Sequence, residues 1–237
     1  MAADKFAMSR DGEDILVEKN FAQLVYLAGK FAGLSTTLLD TQAILADLSG
    51  TQAKPSEIRT ILNLRDAYHY AMSLQYISEV SFAALLKINL FVIGAGASGA
   101  GQIRVQPVVV PLTDMIYQPA IPDETQVKRE FADLVQSEAT TTDKAITLLL
   151  WLSRAQLFLD GNKRTAIIAA NALMTGGDCW PFLKTSWRNT YSACNSITKT
   201  ATPPTLNTGC TTPPSLVSDR PNLTKLLPET DLSMMFP

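Results

Sequence analysis

The amino-acid sequence predicts a mainly α-helical bundle with one short β-hairpin, and three observations carry that expectation. Apolar residues recur at helical spacing through most of the chain up to about Gly176. β-Favouring residues concentrate in one stretch, Gln102–Pro111, followed by Met115-Ile116-Tyr117. Between two apolar helical runs, Asp143–Leu159 and Thr165–Met174, lies a polar turn that must end one helix and start another. A chain of 237 residues with 46% hydrophobic content suffices for one substantial core.

Residues 1–14 are polar and read as a flexible N-terminus. The spacing of Ile15, Phe21, Leu24, Val25, Leu27, Ala28 and Phe31 predicts a helix from Ile15 to Ala32, ended by Gly33. Hydroxyls at Ser35, Thr36 and Thr37 suit the cap of a second helix running through Leu48. After the loop from Ser49 to Pro55, Ser56 is placed to cap a third helix, with Glu57 in its first turn. Ile58, Ile61, Leu62, Tyr68 and Met72 trace its apolar face, and the lone His69 beside that face reads as structural. A further helix spans Phe82 to Ile93. The glycine-rich run Gly94–Gly101 lacks the strand and Lys-Ser/Thr of a phosphate loop and reads as a hinge or mobile loop. In the β-stretch, Pro107 and Pro111 restrict pairing to an edge or short hairpin.

Asp123-Glu124 opens a helix through Val135, with Val127, Phe131 and Leu134 inward. Asp143 is placed to cap the long helix, whose Ile146, Leu149, Leu150, Ser153 and Leu157 form the buried face. Past Arg164, alanines among Ile167, Ile168 and Leu173 permit close helix approach. From Thr175 the periodicity fades, and residues 181–237 read as a disordered or aberrant tail rich in Thr and Pro. Its abrupt change of composition fits a segment out of register with an ancestral coding frame.

The turn itself, Gln156-Leu157-Phe158-Leu159-Asp160-Gly161-Asn162-Lys163-Arg164-Thr165-Ala166, carries the chemistry. Gly161 and Asn162 tolerate positive φ, so backbone N–H groups can converge on an anion beside the positive end of the next helix. Lys163 and Arg164 add full charges, and Asp160 offers a carboxylate for Mg²⁺ beside a polyphosphate. The same residues also suit an ordinary helix–helix turn.

Phe158-x-Asp160-Gly161-Asn162-Lys163-Arg164-Thr165-Ala166 resembles the signature of the Fic/Doc (Fido) family, H-P-F-x-[D/E]-G-N-[G/K]-R. The resemblance implies a Fic/Doc-type helical domain over residues 15–180 with a hairpin flap. It also implies a bacterial source, ATP or another nucleotide with Mg²⁺ as cofactors, and transfer of AMP or phosphate onto a target protein's hydroxyl. Asp160 would hold the metal, Gly161, Asn162 and Lys163 would line the phosphates, and Arg164 would stabilise developing charge. Gln156 stands where the family has its general-base His, Leu157 replaces the Pro, and Ile167 takes a second Arg position that Doc-type loops also lack. Ile103, Arg104 and Val105 correspond to the target-binding flap. Thr36 and Asp40 fall on the Ser/Thr and Glu of the family's inhibitory helix, although the arginine such a Glu would pair with is Ile167. Capping is the plain alternative for that pair.

Two function classes remain open on sequence alone. One is a nucleotide-dependent transferase of weak activity, since an amide at Gln156 cannot accept a proton at neutral pH. The other is a non-catalytic nucleotide-binding or protein-interaction module. A net charge of −2 with 18% charged residues gives no basic field for nucleic acid. No run approaches the ~20 apolar residues of a membrane span, and no signal peptide is visible. Cys179, Cys194 and Cys210 lack metal spacing and read as unpaired thiols, which points to the cytoplasm. The oligomeric state is left open.

Overall fold

A computed structural model describes residues 9–48, 51–111 and 116–176. Seven helices are assigned there: α1 (Arg10–Lys30), α2 (Leu38–Leu45), α3 (Pro55–Met72), α4 (Phe82–Ile93), α5 (Glu124–Gln136), α6 (Thr141–Ala155) and α7 (Asn162–Gly176). A 3₁₀ turn, Ile77–Glu79, precedes α4. Helix α7 is the centre of the bundle, packed by α6, α4, α3 and α1, while α5 lies outside α6. Its Ala166, Ala169, Ala170 and Ala172 are fully buried, so backbones approach closely where larger side chains would hold them apart. Around them pack Leu24, Leu64, Tyr68, Leu85, Ile88, Leu148, Leu152 and Phe158.

The predicted helices are present, with boundaries corrected by their caps. Helix α1 starts at Arg10, so residues 10–14 are helical, and the Ser9 side chain accepts from the Gly12 N–H at 3.4 Å. Helix α2 ends at Leu45, short of Leu48, and Asp47 follows at φ 54°. Helix α3 begins at Pro55, whose missing N–H costs nothing at a helix start. Ser56 is therefore inside the first turn. Glu57 reaches back to the Lys54 N–H at 3.2 Å and also accepts from Ser35 N–H and hydroxyl at 2.9 and 2.8 Å. Thr140, and not Asp143, caps α6, accepting from the Asp143 N–H at 3.2 Å. Of the predicted buried face, Leu149 and Ser153 are buried in α6 and Leu157 just beyond its end, while Ile146 and Leu150 are half-buried; Ala145, Leu148 and Leu152 complete the buried stripe of the helix that packs on α7.

His69 stacks on Phe21 at 4.6 Å between centroids, in keeping with a structural role. The β-structure is smaller than predicted. Only Val110–Pro111 (β1) and Ile116–Tyr117 (β2) pair among the described residues, antiparallel, with Val110 opposite Tyr117 and Pro111 opposite Ile116. Residues 102–109 are irregular: Pro107 has no N–H to give a ladder, and the Arg104 N–H is committed to the Leu157 carbonyl at 2.9 Å. Residues 112–115, the three cysteines and the predicted tail with its expected shift of frame lie outside the described residues. No described helix is long and apolar enough to cross a membrane.

Candidate functional site

Helix α6 stops at Ala155, four residues before the predicted end, because Gln156 enters the left-handed region at φ 48°, ψ 58°. A non-glycine residue is uncommon there and needs local support. The support is visible: the Gln156 N–H donates to the Leu152 carbonyl at 3.1 Å, and its side-chain Nε2 donates to the Ser153 carbonyl at 2.6 Å. The amide thus closes its own helix end. Leu157 and Phe158 then plunge into the core.

The turn after Phe158 is held by Asn162. Its Oδ1 accepts from the Phe158 N–H at 2.9 Å, and its Nδ2 donates to the Phe158 carbonyl at 2.8 Å. The Asn162 side chain thus ties the loop to itself. Asn162→Ala should cost about 1–2 kcal/mol, because two buried main-chain groups lose their partner. Urea denaturation checks this, and a loss below about 0.5 kcal/mol would mean the side chain reaches outward.

Gly161 sits at φ 79°, and a Cβ there would meet Ile93 Cγ2 and Val92 Cγ1, each at 2.9 Å. The loop is therefore pressed onto the end of α4, where glycine alone fits. Asn89, buried in the apolar run of α4, locks this approach. Its Nδ2 donates to the Asp160 carbonyl and to Thr165 Oγ1, both at 3.1 Å, and its Oδ1 accepts from the Gly101 N–H at 3.0 Å. One side chain thereby joins the glycine-rich run, the motif turn and α7. Sequence reasoning passed over Asn89, although a lone amide among Leu85, Leu86, Ile88, Leu90 and Phe91 was the available signal. The glycine-rich run is not a free hinge: Gly99 lies against Leu159, and Gly101 against the backbone of Leu86.

The charged groups gather at the start of α7. Lys163 and Arg164 occupy its first turn. Arg164 Nη2 lies between the two oxygens of Asp160, at 2.8 and 2.9 Å, and Asp160 Oδ1 also accepts from the Gly161 N–H at 2.5 Å. The Asp160 side chain is 71% exposed and that of Arg164 only 12%, so the carboxylate faces solvent over a sheltered cation. No group of three or more His, Cys, Asp or Glu among the described residues could hold a metal. A cation here would take one carboxylate and complete its shell with phosphate oxygens and water, which suits Mg²⁺.

The remaining predicted residues separate from this cluster. Arg104 is buried at 2% exposure, with Nε on the Gln156 carbonyl at 2.6 Å, Nη1 on the Gln106 carbonyl at 2.8 Å and Nη2 on the Ala120 carbonyl at 2.5 Å. Its side chain is a strut between the flap and the end of α6. Burial pulls its pKa below the usual guanidinium value and Tyr117 partly offsets this, but the group stays charged. Ile103 packs on the core and Val105 is exposed.

Thr36 and Asp40 stand at α2, whose main neighbours are α1 and α3. Thr37 caps that helix, and Asp40 completes the box by accepting from the Thr37 N–H at 2.8 Å. Hydrogen bonds from Thr37 hold the Asp40 carboxyl below its ordinary pKa. Thr36 gives its carbonyl to Lys30 Nζ at 2.8 Å. The capping alternative accounts for the geometry of Asp40.

Residues 79–174 match the model of the Fic/DOC family. No curated protein matches the chain. Among solved structures, a Fic-1 fragment from C. elegans aligns with TM-score 0.60 at 18% identity, covering 82% of this chain and 62% of its own. A Fic family protein from Desulfovibrio desulfuricans gives TM-score 0.60 at 15% identity, covering 78% and 55%. A Fic-domain signaling protein from Bacteroides thetaiotaomicron gives 0.67 at 16%, covering 80% and 75%. The chain thus spans less than two thirds of the first two, and at these identities the likeness establishes the fold.

Proposed function

We propose, from the premise that residues 79–174 belong to the Fic/DOC family, that the turn from Asp160 to Arg164 binds a nucleotide together with Mg²⁺. The observation that carries this reading is the cluster itself. A carboxylate open to solvent, a sheltered guanidinium and Lys163 converge at the first turn of α7, on a loop that Gly161, Asn89 and Asn162 hold in shape. The N-terminal end of α7 adds its own attraction for phosphate. Asn162 supports the loop from behind, while Lys163 and Arg164 face the phosphates. Mg²⁺, when bound at Asp160, neutralises phosphate charge. ATP as the nucleotide and a cytoplasmic setting belong to this reading.

Whether a bound nucleotide goes on to react turns on one residue. Transfer to a protein hydroxyl needs a group to take its proton, worth ~10²–10⁴ in rate. Gln156 offers an amide already committed to Ser153, and this favours a nucleotide-binding module with transfer at most slow. Exposed Val105, Val109 and Ile116 beside the hairpin give a target segment an apolar edge to meet.

Lys163→Ala with Arg164→Ala should weaken Mg-ATP binding about tenfold, in line with loss of charge-assisted hydrogen bonds, and leave the melting temperature within a few degrees. Titration calorimetry reads this. An unmodified chain giving no heat with millimolar Mg-ATP would count decisively against nucleotide binding.

A further inference from the structure

The Asp160 carboxylate occupies the donors that a phosphate at this loop would use. It accepts from the Gly161 N–H, and both its oxygens lie within 2.9 Å of Arg164 Nη2. An anionic ligand must therefore displace a carboxylate tethered in place, and must also approach its negative charge. A divalent cation changes both terms. It binds the carboxylate, cancels its charge and draws it from Arg164, releasing the guanidinium and the N–H to the phosphate that accompanies the metal.

We propose that Asp160 is a specificity residue for the form of the nucleotide: it plugs the phosphate cradle against metal-free nucleotide and yields it to the metal complex. This rests on the nucleotide-binding reading above. It explains the pairing of an exposed carboxylate with a sheltered arginine, in which the exposed partner is the one that metal can reach. The device is inexpensive to open. A partly exposed pair of this kind is worth little enough that a metal competes with it readily, yet enough to bias the choice of ligand.

Calorimetry with ATP in excess EDTA, and separately with Mg-ATP, tests the proposal on the full chain. Asp160→Asn should bind metal-free ATP roughly threefold to tenfold more tightly than the unmodified protein, a span set by the modest worth of such pairs, and bind Mg-ATP more weakly. The Asn side-chain oxygen can still accept from the Gly161 N–H, so the turn is preserved. Asp160→Ser, with a short acceptor and no charge, should shift both affinities in the same directions.

Removal of a negative charge could by itself help an anion bind, so the gain is measured again in an Arg164→Gln background. There the plug has nothing to cover, and the gain for metal-free ATP should shrink to less than half. An equal gain in both backgrounds overturns the plug while leaving nucleotide binding intact. So does unchanged or weaker metal-free binding by both substitutions in a chain that binds Mg-ATP. No binding of either form by any of these proteins overturns the plug and the nucleotide reading together.

Discussion

Arg104→Met is expected to cost about 3–4 kcal/mol of folding stability, a large fraction of what holds a domain of this size together. Arg104 is 2% exposed, and its guanidinium donates to main-chain carbonyls of Gln156, Gln106, Pro119 and Ala120. Methionine fills much of the volume but takes the donor from the buried Gln156 carbonyl and from the part-buried ones of Gln106 and Ala120. Each such loss costs about 1–3 kcal/mol where water cannot substitute, and the sum falls short of additive because the flap can relax outward. The Gln156 carbonyl lies at the negative end of α6, so a cation there also answers the helix dipole. Arg104→Lys should recover less than half of the loss, since an ammonium lacks the planar spread that reaches these separated carbonyls. Urea denaturation measures the stability, and hydrogen exchange at Tyr117 and Ala120 should quicken before that of α7. A loss below about 1 kcal/mol would show that the strut carries no load in solution.

Arg104 also marks where sequence reading stops. Periodicity located the helices because burying an apolar stripe requires it, and the described helices answer to that pattern. A charged side chain in an irregular stretch has no such signature. Whether it faces water or main-chain carbonyls depends on how residues 104, 120 and 156 meet, which local spacing does not encode. The motif turn shows the same division. Its place between two helices, and Gly161 at positive φ, were legible from composition. The inward turn of Asn162 and the latch at Asn89 were not, because each depends on which backbone groups remain unpaired after α4 docks. The cap of α2 was legible in kind, since a hydroxyl three residues before a carboxylate forms a capping box from local geometry alone. The buried face of α6 was legible at Leu149, Ser153 and Leu157 but not at Ile146 and Leu150, because α5 and α7 both pack on this helix and a single periodic stripe does not say how they divide it.

Gln156→His should raise transfer onto Ser, Thr or Tyr hydroxyls by up to ~10²–10⁴, the contribution of a general base. The position is prepared for an imidazole in one respect. The Ser153 carbonyl, which now accepts from Gln156 Nε2 at 2.6 Å, can accept an imidazole N–H and leave the other ring nitrogen free to take a proton. The left-handed backbone at 156 suits His as well as Gln, since both carry a Cβ and histidine is enriched there. Arg104 fixes the carbonyl of the same residue, so the backbone is held whichever side chain it bears. Two neighbours cap the gain. Leu157 is fully buried where the signature has Pro, and Ile167, 5% exposed, sits in the core where a second Arg would reach for phosphate. The pH dependence gives an independent check, because a base works only when neutral. Labelling by Gln156→His should climb as pH rises through about 6.5, whereas labelling by the unmodified chain should stay flat and low. The measurement is mass spectrometry of lysate proteins incubated with Mg-ATP and each form. Equal, robust labelling by both forms across that range would remove Gln156 from the base position and end the reading of this site as one short of a proton acceptor.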